Sequence, residues 1–263
     1  MLSYQHIYHA GNLADVHKHV LLAWILSYMV RKEKPVSYIE THAGRGLYDL
    51  QDPAALKTAE AAEGIYKASD FFDDAHPFAA VLTQIRRDFG ASFYPGSPLI
   101  AASLLRPGDR MHFAELHPAE FDALDFNTSS TGAKCYQMDG FELAHSICPP
   151  TPRRGAMLID PSYEIKTDYT KIPQQISKLG KSWNVGVICL WYPILTVSQH
   201  MGMLRSLQQD HPSALRHEVR FPPAKKGHGM IGSGIFVINP PYGLAEEMAR
   251  LGAHFGQSHS PAK

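Results

Sequence analysis

Apolar positions along the 263-residue chain recur with two different periods, and the alternation between them outlines the fold. After Asn12 or Asp15, either of which suits a helix N-cap, Val16, Val20, Ala23, Trp24 and Ser27 fall near one face of a helix running to about residue 30. Pro35 closes that unit, residues 36–40 read as a strand, and Thr41-His42-Ala43-Gly44-Arg45-Gly46 is a turn of small residues. From residue 52 to about 89 the chain becomes rich in alanine and charge, which predicts helices and no strong strand. A turn at Tyr94-Pro95-Gly96-Ser97-Pro98 precedes a further helix over 99–105. Residues 111–115 and 134–139 are the second and third strands, 155–159 the fourth, and 185–191 the fifth. Residues 217–221 and 235–239 suggest an antiparallel closing pair. Strands alternating with helices predict an α/β fold, a Rossmann-like and mostly parallel doubly wound sheet. The chain reads as one domain over 1–263, with a helical insertion at about 50–95.

Composition narrows the function more than the fold. Hydrophobic residues make up 44% of the chain, enough for a substantial core, and 19% are charged. Lys+Arg and Asp+Glu both number 25, so any contact with nucleic acid must be a local patch rather than bulk attraction. Arg31-Lys32 with Lys34, Arg153-Arg154, Lys166 with Lys171, and Lys225-Lys226 are the basic clusters, the last being the best candidate for a phosphate contact. Cys135, Cys148 and Cys189 form no CxxC pair, which predicts reduced thiols in a cytoplasmic protein. The N-terminus has no charged signal region, and the longest apolar stretch, 20–30, is too short to span a bilayer, so no membrane contact is expected.

The chemistry gathers at the ends of the strands. Glu40 and the glycine turn follow the first strand, and Glu115, Asp139 and Asp160 follow the second, third and fourth. In an open parallel sheet those ends share the edge where ligands bind. Glycines there let backbone approach a ligand, and a helix N-terminus after them would offer N–H groups to a carboxylate. An acid after the second strand can take both hydroxyls of a ribose, and one after the third can accept from an adenine amine. Those are the needs of S-adenosyl-L-methionine. A dinucleotide would prefer a third glycine, which is missing here, where Leu47 and Tyr48 follow Gly46. After the fourth strand, Asp160-Pro161-Ser162-Tyr163 resembles the Asp/Asn-Pro-Pro-Tyr/Phe motif of amino-methyltransferases, with Ser162 replacing the second proline. The Asp160 carboxylate and Pro161 carbonyl can accept from an exocyclic amine, and Tyr163 can stack on the base. The histidines are dense at His6, His9, His17 and His19, but His17 and His19 are two apart and cannot share a helix face, so no metal is expected.

Longer blocks carry a more specific resemblance. Met1-Leu2-Ser3-Tyr4, His9-Ala10-Gly11-Asn12, Ala14-Asp15-Val16 and Lys18-His19 open the chain. Thr41-His42-Ala43-Gly44, Tyr94 to Pro98, Glu115-Leu116-His117-Pro118 and Asp139-Gly140-Phe141 follow. Lys166-Thr167-Asp168-Tyr169, Leu190-Trp191-Tyr192-Pro193, Gly232-Ser233-Gly234 and Asn239-Pro240-Pro241 complete the series. In this order they resemble the RlmJ (YhiR) family of 23S ribosomal RNA adenine-N6 methyltransferases over nearly the whole chain. The resemblance implies an S-adenosylmethionine-dependent enzyme whose partner is 23S ribosomal RNA before full ribosome assembly. It implies that His19, His42, Ser97, Glu115, Asp139, Gly140 and Asp160 line the cofactor and catalytic pocket, and that Tyr4 helps receive the base. The Asp-Pro-x-Tyr site cannot by itself sense a 2′-hydroxyl, so a DNA adenine-N6 methyltransferase, or a DNA-utilisation protein with the same fold, is the alternative.

Overall fold

The computed structural model describes residues 4–223 and 229–257. Lys225-Lys226 lies outside the described residues. The main sheet contains β1 (Ser37–Glu40), β4 (Arg110–Ala114), β5 (Lys134–Tyr136), β6 (Gly155–Ile159), β7 (Val187–Leu195), β8 (Leu215–Arg220) and β9 (Met230–Ile238). A separate antiparallel pair is formed by β2 (Leu47–Asp49) and β3 (Phe93–Pro95). The helices are α1 (Leu13–Val30), α2 (Pro53–Thr58), α3 (Glu60–Glu63), α4 (Pro77–Phe89), α5 (Ser97–Leu104), α6 (Pro118–Thr128), α7 (Gly140–Ile147), α8 (Asp168–Ser182), α9 (His200–Asp210) and α10 (Leu244–Gln257). Proline occupies the first turn of α2, α4, α5 and α6, where its missing N–H would have had no helical partner.

The seven strands lie in the order β5-β4-β1-β6-β7-β9-β8. All neighbours are parallel except β9, which runs antiparallel to both β7 and β8. This is the mostly parallel, Rossmann-like sheet expected from the sequence, closed by an antiparallel pair. The winding reverses between β1 and β6, and such a switch point opens a crevice at the carboxyl ends of the strands. Alternate residues of one strand enter opposite cores. Tyr38 and Leu158 face the core that holds α1, whereas Ile39, Met157 and Ile159 face the core that holds α8 and α9. Every residue of β6 is buried, as expected for a central parallel strand.

Four local features differ from the sequence expectation. The glycine turn leads into β2, not into a helix N-terminus. Three-residue strands are too short to show a period, and the buried Tyr48 and Tyr94 join β2 to β3. β5 ends at Tyr136, short of Asp139. β7 continues through Pro193 to Leu195, because β6 ends opposite Leu190 and leaves that flank without a ladder to complete. Finally, α1 is buried around almost its whole circumference, including Asp15, His17, Lys18 and His19, so no single apolar face describes it. Among the described residues, no helix is long and apolar enough to cross a membrane.

Candidate active site

The polar residues of α1 owe their placement to its N-terminus. The Asn12 side chain accepts from the Asp15 N–H at 2.9 Å and fixes where the helix begins. Asp15, Lys18 and His19, at positions i, i+3 and i+4, then project together toward the ends of β1 and β6. Lys18 Nζ donates to Asp160 Oδ2 at 2.5 Å and lies 3.1 Å from Asp15 Oδ1. Burial disfavours the ammonium, but the Asp160 and Asp15 carboxylates outweigh it and hold Lys18 charged above its usual range. Burial likewise opposes the Asp15 carboxylate, and His6, Lys18 and His19 outweigh it to keep Asp15 well below its ordinary value.

The N-terminal segment is tied to the same cluster. His6 Nε2 reaches Asp15 Oδ2 at 2.8 Å, and because a carboxylate only accepts, Nε2 carries the proton. In the neutral ring Nδ1 therefore accepts from the Tyr4 hydroxyl at 2.8 Å. A polar chain thus runs from Tyr4 through His6, Asp15 and Lys18 to Asp160. The other histidines of this region are individually partnered: His9 with Glu60, His17 with Ser233 and His217, His19 with Tyr94. Among the described residues no group of three or more His, Cys, Asp and Glu side chains could hold a metal ion.

These groups border a cavity of about 770 Å³ at the carboxyl ends of the strands, within the range of small-molecule sites. Tyr4, His19, His42, Ser97, Glu115, Asp139, Gly140, Asp160, Pro161 and Tyr163 all line it. Glu115 accepts from the Gly44 and His117 N–H groups, one on each oxygen, at 2.9 and 2.8 Å. Burial raises its carboxyl above the ordinary range against those two bonds. Asp139 Oδ1 caps α7 by accepting from Phe141 and Glu142, leaving Oδ2 without a hydrogen bond among the described residues. Gly140 lies so close to the first-strand loop that a Cβ there would sit 1.9 Å from the Thr41 carbonyl oxygen. His42 Nδ1 pairs with Thr41 Oγ1 at 2.7 Å, and burial lowers its pKa.

Several side chains have different partners from those a ligand would supply. The Ser97 hydroxyl donates to Glu40, which is fully buried at the end of β1 and also receives the Tyr38 hydroxyl. Burial pushes the Glu40 carboxyl up to about 8. Arg45 of the glycine turn forms a two-pronged pair with Glu120. Arg154, together with Arg106, hydrogen-bonds carbonyls at the end of α1 and just beyond it. Tyr163 adopts the left-handed backbone region at φ +55°, is only 8% exposed, donates to the Trp191 carbonyl at 2.8 Å and packs on Tyr169. Most of its ring is therefore covered.

Sequence reasoning passed over Lys18 and Trp191. Both line the cavity beside Asp160, with Lys18 Nζ 5.8 Å from the indole centroid. The available signal was a lysine three residues after an aspartate inside an otherwise apolar helix.

A reversed winding point, a glycine approach, acids after successive strands and an Asp-Pro turn over one cavity define a Rossmann-like, S-adenosylmethionine-dependent methyltransferase. The family model described as "Ribosomal RNA large subunit methyltransferase D, RlmJ" matches residues 33–263. The chain belongs to that family. Ribosomal RNA large subunit methyltransferase J of Escherichia coli (strain K12) is 38% identical over 254 residues, covering 94% of this chain and 90% of the relative. The Haemophilus influenzae protein of the same name is 38% identical over 257 residues, covering 95% and 92%. A crystal structure of a protein from Legionella pneumophila str. Philadelphia 1 superimposes with a TM-score of 0.85 at 34% identity, covering 97% of this chain and 96% of that one.

Proposed function

We propose that the chain methylates the exocyclic N6 of an adenine in 23S ribosomal RNA, in the cytoplasm and before full ribosome assembly. The observation that carries the reading is Asp160. Lys18 holds Oδ2 at the switch point, Oδ1 makes no hydrogen bond among the described residues, and Asp160 lines the cavity. Oδ1 and the Pro161 carbonyl are then the two acceptors for the amine, Tyr4 closes over the base from the N-terminal side, and Tyr163 borders its pocket. Glu115 takes the ribose, the open oxygen of Asp139 takes the adenine end, and Gly140, His42, Ser97 and His19 complete the wall. Early action fits the need to bring the target base out of its stack, at a few kcal/mol, before the RNA is packed.

Bound S-adenosylmethionine supplies an electrophilic methyl group on a sulfonium. The adenine amine is a weak nucleophile because its lone pair is delocalised into the ring. Accepting both N–H bonds favours a pyramidal nitrogen aimed at the methyl carbon, and such orientation can recover roughly 7–11 kcal/mol of barrier. Asp160 Oδ1 would then accept the proton that the amine sheds once it is methylated.

Tritiated methyl transfer to ribosomal RNA from a strain lacking the gene, with genomic DNA in parallel, tests the reading. Wild type should label the RNA at adenine N6, and Asp160→Ala should lose about 10²–10³ in rate while keeping most cofactor affinity. Calorimetry should show weaker cofactor binding in Glu115→Ala. Preferential labelling of DNA, or near-normal turnover without Asp160, would overturn the proposal.

A further inference from the structure

The aromatic group left partly open beside Asp160 is Trp191. It stands on β7 one residue beyond the last pairing with β6, Ile159 with Leu190, so that its β9 flank pairs with Ile235 while its β6 flank has no strand partner, and it lines the same cavity as Asp160 and Pro161. Its backbone carbonyl receives the Tyr163 hydroxyl, and its indole reaches into a buried polar chain. The indole Nε1 donates to Ser233 Oγ at 2.9 Å, Ser233 meets His17 Nδ1 at 2.8 Å, and His17 Nε2 meets His217 Nδ1 at 2.9 Å. Ser233 and His17 are completely buried.

The direction of every proton in this chain is fixed. An indole N–H can only donate, so Ser233 accepts it. The Ser233 hydroxyl has no other acceptor among the described residues than His17 Nδ1. That leaves His17 protonated on Nε2 and donating to His217. Burial and the neighbouring His217 hold His17 well below the usual imidazole range, so it remains the neutral ring this arrangement needs. His17 and Lys18 are consecutive on α1. One turn of one helix therefore sets both the carboxylate that would hold the amine and the indole next to it.

We propose that the indole of Trp191 is the surface on which the target adenine stacks, and that Ser233 and His17 are positioning residues that fix its orientation. The proposal rests on the methyl-transfer reading of the site. An indole lining the same cavity as the amine acceptors, with Lys18 reaching both it and Asp160, supplies the flat apolar wall a base outside its stack requires, whereas the Tyr163 ring is nearly covered.

The test uses the full chain, unmethylated ribosomal RNA and tritiated S-adenosylmethionine. Trp191→Leu should raise KM for RNA roughly 5- to 150-fold, the range for losing one base-aromatic stack, with cofactor affinity unchanged. Trp191→Phe should retain most of the binding. Ser233→Ala should raise KM for RNA and shift the Trp191 fluorescence, yet add nothing to Trp191→Phe, which has no N–H to hold. Additive effects of Ser233→Ala and Trp191→Phe would make the serine merely structural. An unchanged KM in Trp191→Leu would overturn the stacking surface. If Trp191→Leu does not fold, quenching by adenosine monophosphate decides: it should be present in wild type and lost in Trp191→Phe, and equal quenching in both would refute the proposal. Absence of methyl transfer by wild type would instead overturn the reading of the site itself.

Discussion

Lys18 is a buried ammonium whose two carboxylate partners come from different parts of the chain. Asp15 lies one helical turn earlier, but Asp160 lies 142 residues away. Removing one member of a buried charged set costs about 3–5 kcal/mol, because the remaining charges lose their compensation. Lys18→Met should therefore lower unfolding free energy by about that amount, measured by urea titration, and also depress methyl transfer in the fraction that folds. Lys18→Arg should restore stability better than activity, since a broad guanidinium cannot hold Asp160 Oδ2 as a single ammonium does. Equal recovery of both would show the lysine to be a counter-charge only. This partnership was hidden in the sequence for a plain reason. Asp160, Glu115 and Asp139 each follow a strand in the sequence, so their shared edge follows from topology. Lys18 sits inside an apolar run, and nothing local says that its helix passes over the end of β6.

Elements with a clear period were legible, and those defined by tertiary contact were not. β1, β4, β6 and the β8/β9 pair follow from apolar spacing, and α1 follows from its N-cap and the length of its apolar run. β2 and β3 are three residues each and owe their pairing to Tyr48 and Tyr94 packing in the core. The role of Gly140 is also a property of element packing. Its missing side chain lets the start of α7 rest against the Thr41 carbonyl, which places the Asp139 cap beside the first-strand loop. In Gly140→Ala the new methyl would meet a backbone oxygen that no rotamer change can move. The helix must shift, at an overpacking cost of about 1–3 kcal/mol. Calorimetric melting should fall accordingly, and cofactor affinity should fall with it because Asp139 moves too. An unchanged melting temperature with unchanged affinity would contradict this account of the glycine.

At the scale of the whole molecule, seven of the 15 histidines are held below the usual imidazole range by burial, and they make stability depend on pH. His17 and His19 are buried, and burial holds both well below the usual imidazole range. His42, His112, His200, His211 and His217 are shifted the same way, burial being the main cause in each. An unfolded histidine titrates near 6.5, so below that pH the unfolded chain binds protons that the folded chain refuses. Stability is then complete above about pH 6.5 and declines as the pH falls, by at most about 1.4 kcal/mol per pH unit for each such histidine and only down to its own lowered folded pKa. Glu40 opposes the trend. With its carboxyl pushed up to about 8 by burial, the folded chain takes up a proton between that pH and 4.5 that the unfolded chain does not. Glu115 and Asp168, raised by burial, and His9, raised by its bond to Glu60, oppose the trend too, but the seven lowered histidines outnumber these four groups and leave a net loss toward acid. Urea unfolding at pH 6.5 and 5 should show that loss. His17→Gln should flatten the slope by one proton, about 1.4 kcal/mol per pH unit, because glutamine keeps a polar group at the site without titrating. A slope identical to wild type would mean that His17 already carries its second proton in the folded protein. The Ser233–His17 link would then run in the opposite sense, from Nδ1 to Oγ, while the indole N–H still donates to Ser233.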